Sequence, residues 1–405
     1  MTALVLEDRP LRHRNFRLLV AGTTTSSLGN AITPIALAFA VLDLGGSAAQ
    51  LGLVVAAFAL AEVVTVLFGG VLGDRVPRQL MLEGSAAACV VTQGFLAVML
   101  VGGWAGIPLL AAVGVVNGCL GALDQPSSSA MTRMTVPEPL ISAAVALRGL
   151  LQTSAGVVGF ALGGVLVAAA GSGWAIAVDA LTFAVAAYCF SRLDVPHTRP
   201  DAPRGSMLGD LGEGLREVLR HTWLWLLIGQ ALLYHLFFGG AQSVLGPIVV
   251  SRDFGRSAWG LALGALMVGF VVGGLLCLRW KPRRGLFVGT ALLALTSLFP
   301  FAMAVGGALP LVLAGAFLHG FGLQVFDIQW QVSIQENVPD DKLARVYSFD
   351  AVGSFVARPL GLALTGPVAE AVGFGRWLVV VGAVMGGSSL LSLLSRDVRG
   401  LRRRS

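Results

Sequence analysis

Charged side chains stand inside apolar runs of this sequence, among them Glu62, Asp179 and Arg358. In the middle of a membrane-spanning helix, such a group costs at least ~2.5–3.5 kcal/mol on insertion. Each therefore needs a cavity, a partner or a proton. A carboxyl in that setting can exchange a proton with a water-filled path, so Glu62 and Asp179 are candidates for proton coupling; a structural hydrogen bond to backbone or hydroxyls is the competing reading for both. Arg358 could bind an anionic part of a substrate or pair with an acid. A different chemistry sits in the short turn Gly69-Gly70-Val71-Leu72-Gly73-Asp74-Arg75-Val76-Pro77-Arg78 between two apolar runs. Its small residues let two helices approach, and an acid and two arginines fall where hydrocarbon would meet water.

The elements that must carry these groups follow from composition. The 405 residues are 56% hydrophobic and only 12% charged, where a soluble domain carries about 25% charge. At roughly 20 residues per crossing, this length accommodates about twelve helices. The apolar runs are continuous rather than alternating, which excludes a β-barrel. They predict an all-α polytopic membrane protein with spans near 17–42, 51–72, 80–101, 107–125, 143–170, 173–192, 223–250, 259–278, 284–304, 310–332, 346–369 and 374–395. The first run is too long for a signal-peptide core and is read as an uncleaved helix. Cys89, Cys119, Cys189 and Cys277 all fall within apolar runs at unrelated spacings, so they read as packing residues. No metal or other cofactor is expected.

A net charge of +6 would suit nucleic acid if it were clustered. Instead the basic residues fill the termini and alternate short loops, while the opposite loops hold only Arg252, Arg256 and Arg376. That bias predicts both termini in the cytoplasm of a bacterial cell membrane. The longest internal loop divides the spans six and six, giving an N-terminal bundle 1–192, a linker 193–221 and a C-terminal bundle 222–405. Leu208, Leu211, Leu215, Val218 and Leu219 recur at helical spacing, so the linker is expected to hold a short amphipathic helix on the inner membrane surface. The basic tail is expected to contact anionic lipid. The halves also repeat: Val136-Pro137-Glu138 recurs as Val338-Pro339-Asp340, and Gly159, Gly164 and Gly171 recur as Gly361, Gly366 and Gly373, in each case 202 residues on. Pro34 in the first span is echoed by Pro247 in the seventh. Glycines 156, 159, 163 and 164 read as close helix-packing positions.

With the turn and the repeat in hand, the whole chain resembles the major facilitator superfamily. Gly70 to Arg78 resembles that family's signature between its second and third helices, with Pro77 where glycine is usual; Gly274 to Arg284 is a degenerate copy lacking the acid. Asn15-Phe16-Arg17-Leu18, Gly29-Asn30-Ala31-Ile32-Thr33-Pro34 and Val178-Asp179-Ala180-Leu181-Thr182-Phe183 resemble the proton-driven drug exporters related to the enterobactin exporter. The resemblance implies two pseudo-symmetric six-helix bundles and alternating access. It also implies an inner gate of Asp74, Arg75, Arg78 and Asp124, in which Arg78 can pair with Asp124 and Asp74 meets a helix N-terminus. The competing reading of the turn is topology determination by positive charge. That branch often carries an aspartate where Asn30 stands, which leaves Glu62 as the leading coupling residue and Asp179 as the second. It also tends to have proline where Phe160 stands, in a motif associated with antiport. A cavity lined by helices one, four, seven and ten would draw substrate contacts from Asn30, Thr33, Asn117, Tyr234, His235, Gln242, Gln324 and Trp330, together with Arg358.

The function so implied is export of a hydrophobic or amphiphilic small molecule (a drug, antibiotic or siderophore type) by proton antiport. Uptake or facilitated diffusion on the same fold is the alternative, and a non-transporting membrane sensor or scaffold is the alternative of another class. The chain has no His-Glu-x-x-His, no Gly-x-Ser-x-Gly, and scattered histidines at 13, 197, 221, 235 and 319, which argues against an enzyme. Expected partners are the small-molecule substrate, protons and membrane lipid, with no nucleic acid, and the expected state is a monomer.

Overall fold

The structure, a computed structural model, describes residues 10–73, 77–195, 215–339 and 356–403, with 342, 343, 346, 347, 349, 350 and 353 between the last two. Helices α1 (Arg14–Asp43), α2 (Ala48–Gly73), α3 (Arg78–Val101), α4 (Ile107–Thr135), α5 (Ile141–Ala170) and α6 (Ser172–Ser191) come first. They are followed by α7 (Thr222–Phe254), α8 (Arg256–Arg279), α9 (Gly285–Val305), α10 (Leu309–Asn337), α11 (Ala357–Val372) and α12 (Phe374–Ser392). Among the described residues eleven helices are long and apolar enough to cross a membrane. The remaining expected span, 346–369, falls partly outside them.

The chain divides into two compact units. The first holds residues 1–46 and 57–202, and the second holds 47–56 and 203–405. Inside the first, α1 packs on α5 and α6, and α3 packs on α4 and α6; inside the second, α7 packs on α11 and α12, and α9 on α10 and α12. The same plan is thus built twice, and repeated glycines show why. Gly159 brings α5 against the Leu28 carbonyl of α1, and Gly361, 202 residues on, brings α11 against the Leu236 carbonyl of α7. Gly118 meets the Phe58 carbonyl as Gly320 meets that of Leu266. A Cβ at any of these four would collide with backbone, which cannot step aside. Gly171 and Gly373 both turn the chain into the next helix at positive φ, 89° and 98°, where a Cβ is strained. Gly156, also expected to be a packing position, has nothing within 4 Å among the described residues.

Two irregular turns interrupt α7 and α9, and proline accounts for both. Pro247 has no N–H to offer the preceding turn, and α7 re-registers there through a π-helical stretch, Ala241–Leu245. In α9, a 3-10 turn at Ala294–Ser297 precedes Pro300, which cannot donate to the Thr296 carbonyl four residues earlier. That carbonyl becomes available to another helix.

Helix α4 runs ten residues beyond the expected end at 125. The polar stretch that suggested a terminus satisfies itself along the helix: Ser127 Oγ donates to the Leu123 carbonyl at 2.9 Å and Thr132 Oγ1 to that of Ser128 at 3.2 Å. In the linker, Leu208 and Leu211 lie outside the described residues, and a helix spans 215–220. Leu215 and Leu219 are exposed, whereas Val218 enters an apolar cluster with Trp223, Leu224, Ile334 and Val398. Val398 belongs to the tail, whose Arg403 pairs with Glu336 at 3.4 Å. The tail therefore packs on protein rather than only facing lipid.

Candidate functional site

Two polar constellations interrupt the apolar interiors, one in each unit. In the first unit, the Asp179 carboxyl of α6 is fully buried between α1 and α3. Thr33 Oγ1 donates to its Oδ2 at 2.6 Å and Gln93 Nε2 donates to the same oxygen at 2.7 Å. Gln93 Nε2 also reaches Thr33 Oγ1 at 3.3 Å, which closes a triangle across three helices. Thr182 Oγ1 has one proton and two acceptors within reach, the Asp179 backbone carbonyl at 2.7 Å and Asp179 Oδ1. The hydroxyl can donate to Oδ1, 3.3 Å away, when the carboxyl is ionised, or donate to the backbone carbonyl and accept from a protonated Oδ1. The cluster accommodates both states: Oδ2 is served as an anion, and Oδ1 has an acceptor waiting when protonated. Gly29 makes the room, since a Cβ there would collide with both Asp179 Oδ1 and Thr182 Oγ1.

In the second unit, α7, α9 and α10 surround a cavity of about 100 Å³. Tyr234, His235 and Trp330 line it, as do Gln230, Asp327 and Asp350. Behind it, His319 of α10 is completely buried. Its Nδ1 lies 2.9 Å from the Thr296 carbonyl, which can only accept, so Nδ1 carries the ring proton. The opposite nitrogen, Nε2, then accepts from the Tyr234 hydroxyl at 2.6 Å. Phe238 stacks on the imidazole at 4.1 Å between centroids. The carbonyl freed by Pro300 is thus taken up by a histidine that fixes a tyrosine of the cavity wall. The first unit holds the related pair: Thr92 Oγ1 donates to Asn117 Oδ1 at 2.6 Å, and Asn117 stands 202 residues before His319.

The expected site residues distribute as follows. Tyr234, His235 and Trp330 come together on one cavity. Thr33 and Asn117 direct their polar groups into the first unit's own hydrogen bonds. Asn30 is exposed on α1, Gln242 sits in the π turn of α7, and Gln324 faces Gly273 of α8, where an added Cβ would come within 3.2 Å of its own Cβ. Arg358 on α11 lies within electrostatic reach of His235. Glu62 is half-buried on α2, where Gly118 of α4 approaches its backbone. Among the gate residues, Asp74 and Arg75 lie outside the described residues. Arg78 is the first residue of α3. Asp124 of α4 lies within electrostatic reach of Arg148 in α5, a residue not assigned to the gate from sequence. Gln93, Gln230 and His319 were also not singled out as site residues. Each is a neutral polar residue in an apolar helix, and only that feature could have drawn attention to it.

Comparison with known proteins adds the following. The family model described as Transmembrane secretion effector matches residues 8–283, and the model described as Major Facilitator Superfamily matches residues 231–405. An uncharacterized MFS-type transporter, YfiS, of Bacillus subtilis is 27% identical, over 98% of this chain and 97% of its own. The multidrug efflux pump Tap of Mycolicibacterium fortuitum is 26% identical, over 88% of this chain and 89% of its own. The enterobactin exporter EntS of Citrobacter koseri is 28% identical, over 96% and 94%. Among solved structures, the nucleoside transporter NupG superposes with a TM-score of 0.73 at 12% identity, covering 94% of this chain and 97% of that one. At that identity the likeness speaks for the fold alone.

Proposed function

The chain belongs to the major facilitator superfamily, and from that premise we propose that it is a secondary active exporter of a hydrophobic or amphiphilic small molecule, driven by proton antiport. It is a multi-pass membrane transporter and not an enzyme, as its relatives are. The observation that carries the coupling reading is the Asp179 cluster. A fully buried carboxyl with donors on one oxygen, and beside the other a hydroxyl able either to donate or to accept, is suited to take up and give back a proton. On that geometry we take Asp179 as the first candidate for coupling and keep Glu62, the leading candidate from the sequence, beside it. Alternating access would come from the twice-built bundle. The arginine bias supports a bacterial cell membrane location with both termini on the cytoplasmic side. Export rather than uptake is favoured by the efflux functions named for Tap and EntS.

The test uses the purified protein in proteoliposomes with an imposed proton gradient and a fluorescent amphiphilic dye. Dye should move opposite to the proton flow, stop on addition of an uncoupler, and lose gradient dependence in Asp179→Asn while substrate exchange at equilibrium persists. Dye moving in the same direction as protons would reverse the assignment to uptake. Gradient-driven movement unchanged in Asp179→Asn would remove that residue from coupling.

A further inference from the structure

The cavity of the second unit has a one-sided chemistry. Gln230 is 4% exposed, and its Nε2 donates to Ser389 Oγ at 3.2 Å. The orientation of that amide is fixed, because the Ser389 hydroxyl proton is committed to the Met385 carbonyl at 2.8 Å and its oxygen can only accept. Gln230 Oε1 is then a buried acceptor with no hydrogen-bond partner among the described residues, on a residue that lines the cavity. An orphaned acceptor in such a place destabilises the fold unless a donor arrives. Tyr234 spends its proton on His319 and offers only lone pairs. The Trp330 indole N–H is occupied by the Asp350 carboxyl, which holds its ring in place between Phe326, stacked at 6.2 Å, and Trp223, edge-on at 5.6 Å. Asp327 and Asp350 lie within electrostatic reach of each other. Among the described residues no lysine or arginine lines the cavity, and Arg358 of α11 is the cation within electrostatic reach of the lining residue His235. Carboxylates, orphaned acceptors and aromatic faces all attract positive charge.

We infer that this cavity is a subsite for the cationic head of a lipophilic amine or quaternary ammonium compound. A volume of about 100 Å³ holds a head of trimethylammonium size rather than a whole drug, so the apolar body of the ligand lies beyond it. The inference rests on the export reading for its physiological meaning, but the binding chemistry stands apart from it.

Three small ligands separate these statements when titrated calorimetrically into the full-length protein in lipid nanodiscs, against empty nanodiscs. Benzyltrimethylammonium carries a permanent charge, and neopentylbenzene is its neutral carbon isostere. N,N-dimethylbenzylammonium adds one N–H. The wild type should prefer the quaternary cation to the neutral isostere by at least about tenfold, and Asp350→Asn or Asp327→Asn should remove most of that preference. Gln230→Leu should weaken the N–H-bearing cation more than the quaternary one. Equal affinity of the wild type for cation and isostere overturns the inference, and that comparison needs no variant that could misfold. A charge preference surviving both aspartate substitutions, in variants with unchanged thermal midpoints, overturns it as well. Charge-selective binding without transport in proteoliposomes would sink the export reading and leave the subsite standing. Proton-driven dye export without charge-selective binding would do the reverse.

Discussion

Asp179 accepts two hydrogen bonds on one oxygen, and a hydroxyl able either to donate or to accept lies beside the other. The geometry depends on a residue with no side chain. Gly29 faces the carboxyl and Thr182 so closely that one methyl group must displace one of them. Gly29→Ala should therefore cost about 1–3 kcal/mol of stability and should also shift the pH at which transport is half-maximal, because it moves the carboxyl relative to its donors. A thermal midpoint that falls with an unchanged pH profile would mean that Gly29 only packs. The acids were legible in the sequence, since a carboxylate in an apolar run has to be explained. Their partners were not. Gln93 is a neutral residue on another helix, and no spacing along the chain announces that α3 will bring it to α6. The hydrogen bonds that gather around Asp179 are properties of packing.

At the scale of helices, backbone approach sets what may change. Gly159 and Gly156 lie one turn apart on α5, and both read as packing glycines in the sequence. Gly159 meets the Leu28 carbonyl, whereas Gly156 meets nothing within 4 Å among the described residues. Gly159→Ala must separate α5 from α1 and should lower the thermal midpoint, at a cost of about 1–3 kcal/mol. Gly156→Ala should leave it unchanged or raise it slightly, since alanine is the better helix former. Equal effects from the two would mean that the glycines act through helix propensity and not through contact. Helix ends were the less legible feature. Helix α4 passes through a proline and a run of serines that normally signal a stop, because the hydroxyls bond back to their own helix and the interior of the first unit buries Ser127, Ser128 and Thr132.

For the molecule as a whole, the repeated sequence predicted two bundles of one design, and the packing within each unit follows that design. The chemistry differs between them: the first unit centres on an acid, and the second on a neutral histidine–tyrosine pair beside a cavity. What ties the linker to the second unit was beyond reach of the sequence, since the expected amphipathic helix gave Glu217 no special role. Its side chain is 6% exposed and lies 2.8 Å from Lys342 Nζ, with Arg220 at 3.4 Å and His221 at 3.3 Å. The Lys342 hydrogen bond, aided by the nearby charges, holds the carboxyl below its ordinary range even though burial opposes this. A depressed carboxyl stabilises the folded state fully above its unfolded value, about 4.3, and loses that contribution as pH falls through the folded value. At neutral pH the clasp is therefore intact, and acid opens it. Lys342→Met should reproduce the acid state at pH 7. A charge-assisted hydrogen bond contributes about 1.5–3 kcal/mol, so amide hydrogen exchange across residues 215–220 should quicken by about tenfold or more, with little change in α12. If exchange in that segment stayed as slow as in the wild type, Val218 and its apolar cluster would be sufficient to hold the linker, and the ion pair would be incidental to its anchoring.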